Sequence, residues 1–113
     1  MPNLNKTMCM GRLTHDSRLR RDEGGQAVLE WSLAVNRNFK GTDGQRGSTV
    51  TYLDFAILGK RAEALERHLK RGVELYIDGE IQVWEGEDQH KRYVIVANDV
   101  EFLSKGGARA TQG

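Results

Sequence analysis

Residues 49–79 read TVTYLDFAILGKRAEALERHLKRGVELYIDG, and the changes of period within them decide the fold. From Thr49 to Leu58 the side chains alternate. Thr51, Leu53, Phe55 and Ile57 form a mostly large, apolar set, against a mixed set of Val50, Tyr52, Asp54, Ala56 and Leu58. That is a strand with one buried face. Gly59 interrupts it. From Lys60 the period lengthens, and Ala62, Leu65 and Leu69 fall at i, i+3 and i+7, one stripe of a helix. Glu63 with Arg67, and Glu66 with Lys70, are i, i+4 pairs in the favourable order on the wet side. Gly72 suits the left-handed C′ position that stops a helix. Val73, Leu75, Ile77, Ile81 and Val83 then alternate again, with Gly79 where a strand can bulge or bend. A helix this short between two long strands caps the end of a small barrel.

Outward from that stretch, Leu4 to Leu13 is strand-like, with Met8 and Met10 on one side and Cys9 and Leu13 on the other; Gly11 suggests a bend. Thr14 to Gly25 is polar, carries Arg18, Arg20 and Arg21, and ends in a Glu-Gly-Gly turn signal. Gln26 to Arg37 is the next strand, with Leu29, Trp31, Leu33 and Val35 on one face. Asn38 to Ser48 reads as a glycine-rich basic loop, Glu85 to His90 as a tight acidic turn, and Lys91 to Leu103 as the last strand. The sum is an all-β chain of five strands with one small helix between strands 3 and 4, the order of the five-stranded OB-fold barrel. Residues 1–103 are expected to form that domain and 104–113 a flexible C-terminal tail.

Composition narrows the function classes. A chain of 113 residues supports one core, and a net charge of +1 names no partner by bulk electrostatics. A nucleic-acid binder of this composition must separate its charges in space. Residues 1–21 carry five basic residues against one acid, whereas 73–90 carry six acids and no Lys or Arg. A single cysteine excludes an internal disulfide, and the spacing of the three histidines gives no metal-ligand pattern; no metal and no cofactor is expected. No apolar run is long enough for a membrane span and no signal-peptide pattern is present, so the expected address is cytoplasmic. There is no phosphate-cradling glycine loop, nucleophile elbow or His-Glu-x-x-His, so an enzyme is not expected.

Single-stranded nucleic acid asks a groove for cations and for exposed aromatic faces. Trp31, Phe55 and Phe102 are assigned to the core. Tyr52 falls on the polar face of its strand, Trp84 on the even face with Gln82, and Phe39 where a strand enters the basic loop. Taken singly, each is equally a rim or subunit-contact residue. Together, and flanked by Arg37, Lys40, Arg46, Lys60, Lys91 and Arg92, they favour base stacking.

Several runs carry a resemblance. Leu4-Asn5-Lys6, Gly11-Arg12-Leu13-Thr14, Ser32-Leu33-Ala34-Val35-Asn36-Arg37, Leu58-Gly59-Lys60-Arg61-Ala62-Glu63, Tyr76-Ile77-Asp78-Gly79-Glu80-Ile81 and Asp99-Val100-Glu101-Phe102-Leu103 resemble, in order and spacing, the bacterial single-stranded DNA-binding protein family over roughly residues 4 to 103. The resemblance implies a nucleoid-associated OB-fold homotetramer. Such a protein covers single-stranded DNA, without sequence preference, in replication, recombination and repair. It places the stacking positions on Phe39, Tyr52, Leu58 and the region of Trp84, and phosphate contacts on Lys6, Arg12, Arg20, Lys60 and Arg71. Leu58 departs from the aromatic residue usual in the family, so one stacking platform, on the order of 1–3 kcal/mol per base, is missing. Strand four is also about two residues short before Trp84 and lacks the family's basic residues there.

The chain as given ends in Arg109-Ala110-Thr111-Gln112-Gly113, without the acidic, Phe-terminated tip that recruits repair proteins in the family; a trimmed domain and a short relative both fit. The first strand, with Met8 and Met10, is the expected oligomer interface, because an unpaired apolar edge is an aggregation hazard. The competing reading is a primosome-type OB-fold adaptor that binds single strands weakly and docks a protein partner on the acidic stretch 73–90.

Overall fold

The computed structural model describes residues 2–86 and 88–104, and the expected tail from 105 onward lies outside the described residues. Alternation becomes strand wherever it was strongest: β1 (Thr7–Leu13), β3 (Ala27–Lys40), β4 (Arg46–Leu58), β5 (Glu74–Glu85) and β6 (Lys91–Ser104). A short additional strand, β2 (Arg18–Arg21), pairs with the edge of β3, placing Arg20 opposite Val28 and Leu19 opposite Leu29. The sheet order β1-β5-β6-β4-β3 returns to β1 through the pairs Arg12–Ala34 and Leu13–Leu33, which closes the barrel. The helix α1 (Lys60–Leu65) therefore lies between β4 and β5 rather than between strands 3 and 4, because β2 adds one to the count. β2 was expected as loop: its four residues hold one apolar side chain, too few to show a period.

The core is the odd face of β3 and β4 and the first half of β5. Leu29, Leu33, Phe55, Ile57, Leu75 and Ile77 are all buried, and Trp31 stacks on Phe55 with ring centroids 5.9 Å apart. Ala62 and Leu69 plug one end of it from α1 and the turn that follows. The helix is shorter than its stripe. It tightens to a 3-10 turn at Glu66–His68, and Leu69 has left helical geometry. Gly72 is left-handed as expected (φ 91°), but it sits in the turn beyond Leu69, where its N–H donates to the Leu13 carbonyl at 2.9 Å. The i, i+4 pairing is lost with the helix, and Glu63 pairs instead with Arg21 of β2 at 2.8 Å.

Two glycines act as anticipated. At Gly79 the β5–β6 register shifts, and a Cβ there would lie 2.3 Å from the Val96 carbonyl oxygen. At Gly11, where β1 passes between β5 and β3, a Cβ would lie 2.7 Å from the Ala34 oxygen. Phe102, expected in the core, is 45% exposed: β6 carries it to the rim, where its ring meets His68 edge-on. The loop expected at 38–48 shortens to a turn, because β3 and β4 stay paired as far as Lys40 and Arg46. No helix among the described residues is long and apolar enough to cross a membrane.

Candidate nucleic-acid interface

The even side chains of β3 and β4 point away from the core and share one outer face, since the two strands pair without a break from Val28–Leu58 to Lys40–Arg46. β6 continues that face by pairing Ala56 with Val96, and β5 follows by pairing Trp84 with Arg92. The sequence reads the even face of β4 as wet, yet its centre is apolar. Val28, Ala56 and Val94 form a second, smaller buried cluster, covered in part by Leu58 and Trp84. Trp84 is accordingly half-buried, and its indole N–H donates to Gln82 Oε1 at 3.0 Å.

Two guanidinium groups reach this indole. Arg20 comes from β2 and Arg92 from β6, and their central carbons lie 5.8 and 6.0 Å from the ring centroid, within cation–π range. Both arginines are held by one carboxylate. Arg20 donates through Nε to Glu30 Oε2 at 2.8 Å, and Arg92 through Nη2 to Glu30 Oε1 at 2.9 Å. Arg92 Nη1 also lies 3.6 Å from Asp54 Oδ2, and the Ser32 hydroxyl donates to Asp54 Oδ1 at 2.9 Å. Burial pushes the Glu30 carboxyl up, but the hydrogen bonds and charge of Arg92 and Arg20 outweigh it and hold the group below its usual range.

Tyr52 stands further along the same face, opposite Ala34 and 68% exposed. It lines an open groove with Met10, Arg12, Asn36, Arg71 and Glu74. Arg12 donates to Glu74 at 2.6 Å, and the Arg71 backbone N–H donates to Asp16 Oδ1 at 2.9 Å. Phe39 lies on the projecting β3–β4 hairpin opposite Gly47, and its ring fills the space a side chain would take: a Cβ at Gly47 would lie 2.8 Å from it. Arg37, Lys40 and Arg46 share this hairpin, Lys40 directly opposite Arg46, and none of the three makes an ion pair among the described residues.

The expected residues thus fall into three groups: Trp84, Leu58, Arg20 and Arg92 around the small cluster; Tyr52, Arg12 and Arg71 at the groove; Phe39, Arg37 and Lys40 on the hairpin. Two join none of them. Lys6 is hydrogen-bonded and ion-paired to Asp78 at 2.9 Å, which raises its pKa, and Lys60 is exposed at the start of α1. Met8 and Met10 are 62% and 59% exposed on β1, whose stretch from Thr7 to Gly11 pairs along one edge with β5 and has no strand on its other edge among the described residues.

Sequence reasoning gave no site role to Glu30, Gln82 or Tyr93. Tyr93 is 74% exposed opposite Val83, where the core-facing side of the β5–β6 hairpin runs out past the barrel. Glu30 left one signal, a lone charge among Val28, Ser32 and Ala34 on the even face of its strand. Its partners come from two other strands, so no local pattern names them.

Comparison with known proteins agrees with this fold. Residues 4–103 match the family described as the Single-strand binding protein family. The single-stranded DNA-binding protein of Staphylococcus aureus strain MRSA252 is 33% identical over 96% of this chain and 71% of its own length. That of Oceanobacillus iheyensis is 36% identical over 96% and 69%. Among solved structures, a deletion mutant of the single-stranded DNA binding protein from Thermus aquaticus superposes with a TM-score of 0.79 at 26% identity, and this chain spans 50% of its length. The Plasmodium falciparum protein, solved in complex with single-stranded DNA, shares the fold with a TM-score of 0.77 at 23% identity, covering 91% of this chain and 97% of its own.

Proposed function

The chain belongs to the single-strand binding protein family, and from that premise we propose that it covers single-stranded DNA with the outer face built around Trp84, Tyr52 and Phe39. Its function is to bind single-stranded DNA, and replication, recombination and repair are the settings in which the family acts. The family is one of binders rather than enzymes. The observation that carries the site is the half-exposed indole of Trp84 with two guanidinium groups within 6.0 Å of its ring centroid. An aromatic face beside cations supplies both a base-stacking surface and phosphate contacts, without reading sequence. Tyr52 and Phe39 extend the path along β4 and onto the hairpin, where Arg37, Lys40 and Arg46 supply charge without an ion-pair partner among the described residues.

The adaptor reading rests on the acidic stretch 73–90. Two of its carboxylates, Glu74 and Asp78, are already engaged by Arg12 and Lys6, which leaves a smaller acidic surface for a partner. We take the open edge of β1, with Met8 and Met10, as the site of self-association and a homotetramer as the assembly; a monomer by light scattering at micromolar concentration would refute this. A cytoplasmic, nucleoid-associated location belongs to the same proposal.

The test is tryptophan fluorescence during addition of oligo-dT, then of salt, with duplex DNA of equal length as control. Trp31 is buried, so quenching reports Trp84. Strong quenching by the single strand alone, reversed by salt, is the expected result. No quenching and no retention on the single strand would overturn the reading.

A further inference from the structure

We propose that Glu30 is an internal competitor for DNA: its carboxylate holds Arg20 and Arg92 against Trp84 in the free protein, and a strand must displace it with phosphate to bind there. This rests on the single-strand reading above and adds to it a residue that sets affinity and salt dependence.

The geometry is that of one anion shared by two forks. Each oxygen of Glu30 accepts from a different arginine, at 2.8 Å from Arg20 and 2.9 Å from Arg92. Carboxylate and phosphate present the same acceptor geometry to a guanidinium, so the two are interchangeable partners. The Glu30 and Arg92 side chains come from strands on either side of β4, which pairs with β3 through Ala56–Glu30 and with β6 through Ala56–Val96, and Arg92 reaches across β4 past Asp54 to Glu30. With Asp54 counted, these two arginines face two carboxylates that offset their charge, which leaves only Arg18, opposite Glu30 on β2, in excess. An ion pair of this exposure contributes little to folding. Its larger effect is on which anion the arginines hold. While Glu30 holds them they also stay beside the indole, so displacement frees both the cations and the ring.

The experiment compares the parent with Glu30→Gln and Glu30→Asp by oligo-dT titration at several salt concentrations, together with iodide quenching of the free proteins. Glu30→Gln removes the charge at constant shape. It is expected to bind on the order of tenfold tighter at low salt, the size of one charge-assisted contact. Its slope of log affinity against log salt should steepen by about 0.7 for each phosphate newly neutralised. Iodide, an anion, should quench its Trp84 more than the parent's. Glu30→Asp is too short to span both arginines and should lie between the two. Equal or weaker binding by both variants with an unchanged slope would make Glu30 a plain structural ion pair and overturn the proposal. If Glu30→Gln does not fold, the Asp variant decides alone: tighter binding supports the competitor, and equal or weaker binding overturns it. If the parent itself fails to bind oligo-dT, the single-strand reading falls first and this one with it.

Discussion

The β3–β4 and β5–β6 hairpins both run past the barrel, but their cations are in opposite states. On β3–β4, Arg37, Lys40 and Arg46 have no ion-pair partner among the described residues, and Lys40 faces Arg46 across the ladder. Around β5–β6, four cations are matched, Lys6 with Asp78, Arg12 with Glu74, and Arg92, together with Arg20, with Glu30, and only Lys91, opposite Glu85, makes no ion pair among the described residues. Like charges left opposite one another oppose folding slightly and raise the local positive potential. Matched charges do neither. The first hairpin is therefore suited to draw a polyanion in, and the second to hold it only after an exchange of partners. A net charge of +1 conceals both facts, because it sums over a separation that the fold makes real.

The largest effect should come from the unmatched cations. Changing Arg37, Lys40 and Arg46 together to glutamine should lower the salt slope of oligo-dT binding by about 2, at roughly 0.7 per phosphate on a single strand. The melting temperature should hold or rise slightly, since no ion pair is lost. A triple variant with the parent's slope would break the comparison. Next in size is Trp84→Ala, which should weaken binding by about 1–3 kcal/mol, the contribution of a stacked base. It should also cost some stability, because the indole covers Val28, Ala56 and Val94. Tyr52→Ala, at a mostly exposed position, should weaken binding alone; isothermal titration beside thermal melts separates the two cases. Smaller again is Arg12→Gln at the matched root of β5, where an exposed pair contributes about 0–1 kcal/mol to stability. Its change in salt slope should fall below that of any single hairpin cation.

The same contrast explains what the sequence made legible. The core was readable because Leu29, Trp31, Leu33, Phe55 and Ile57 repeat with period two, and burial of a face leaves that mark in every strand. Gly79 and Gly11 were readable because a close backbone approach admits no side chain. The small helix was readable from its stripe, but its early end was not: Leu69 is drawn into the barrel base, and tertiary packing overrides the helical register. Which cations are matched was not readable at all. Arg92 and Glu30 are far apart in the chain and meet only because the fold brings β3 and β6 to the two sides of β4. Phe102 erred in the other direction: its alternation is correct, but the barrel ends before covering it.

Acid gives the finest test, because it removes one match without changing a residue. Arg20 and Arg92 contact Glu30 directly, Arg18 faces it across the β2–β3 ladder, and Asp54 shares Arg92. The folded protein holds the Glu30 carboxyl below its ordinary range, so the unfolded chain takes up the proton first as pH falls. The stability from this match is therefore complete above the unfolded glutamate range and is lost as pH falls through the lower, folded value. Melting curves of the parent and Glu30→Gln should differ by a constant amount at neutral pH, and the gap should close only below the ordinary glutamate range. A gap that closes nearer neutrality would place the titrating group elsewhere. A gap that never closes would mean that Glu30 acts through shape rather than charge. The competition with phosphate would then lose its physical basis, and the two hairpins would differ only in where their cations sit.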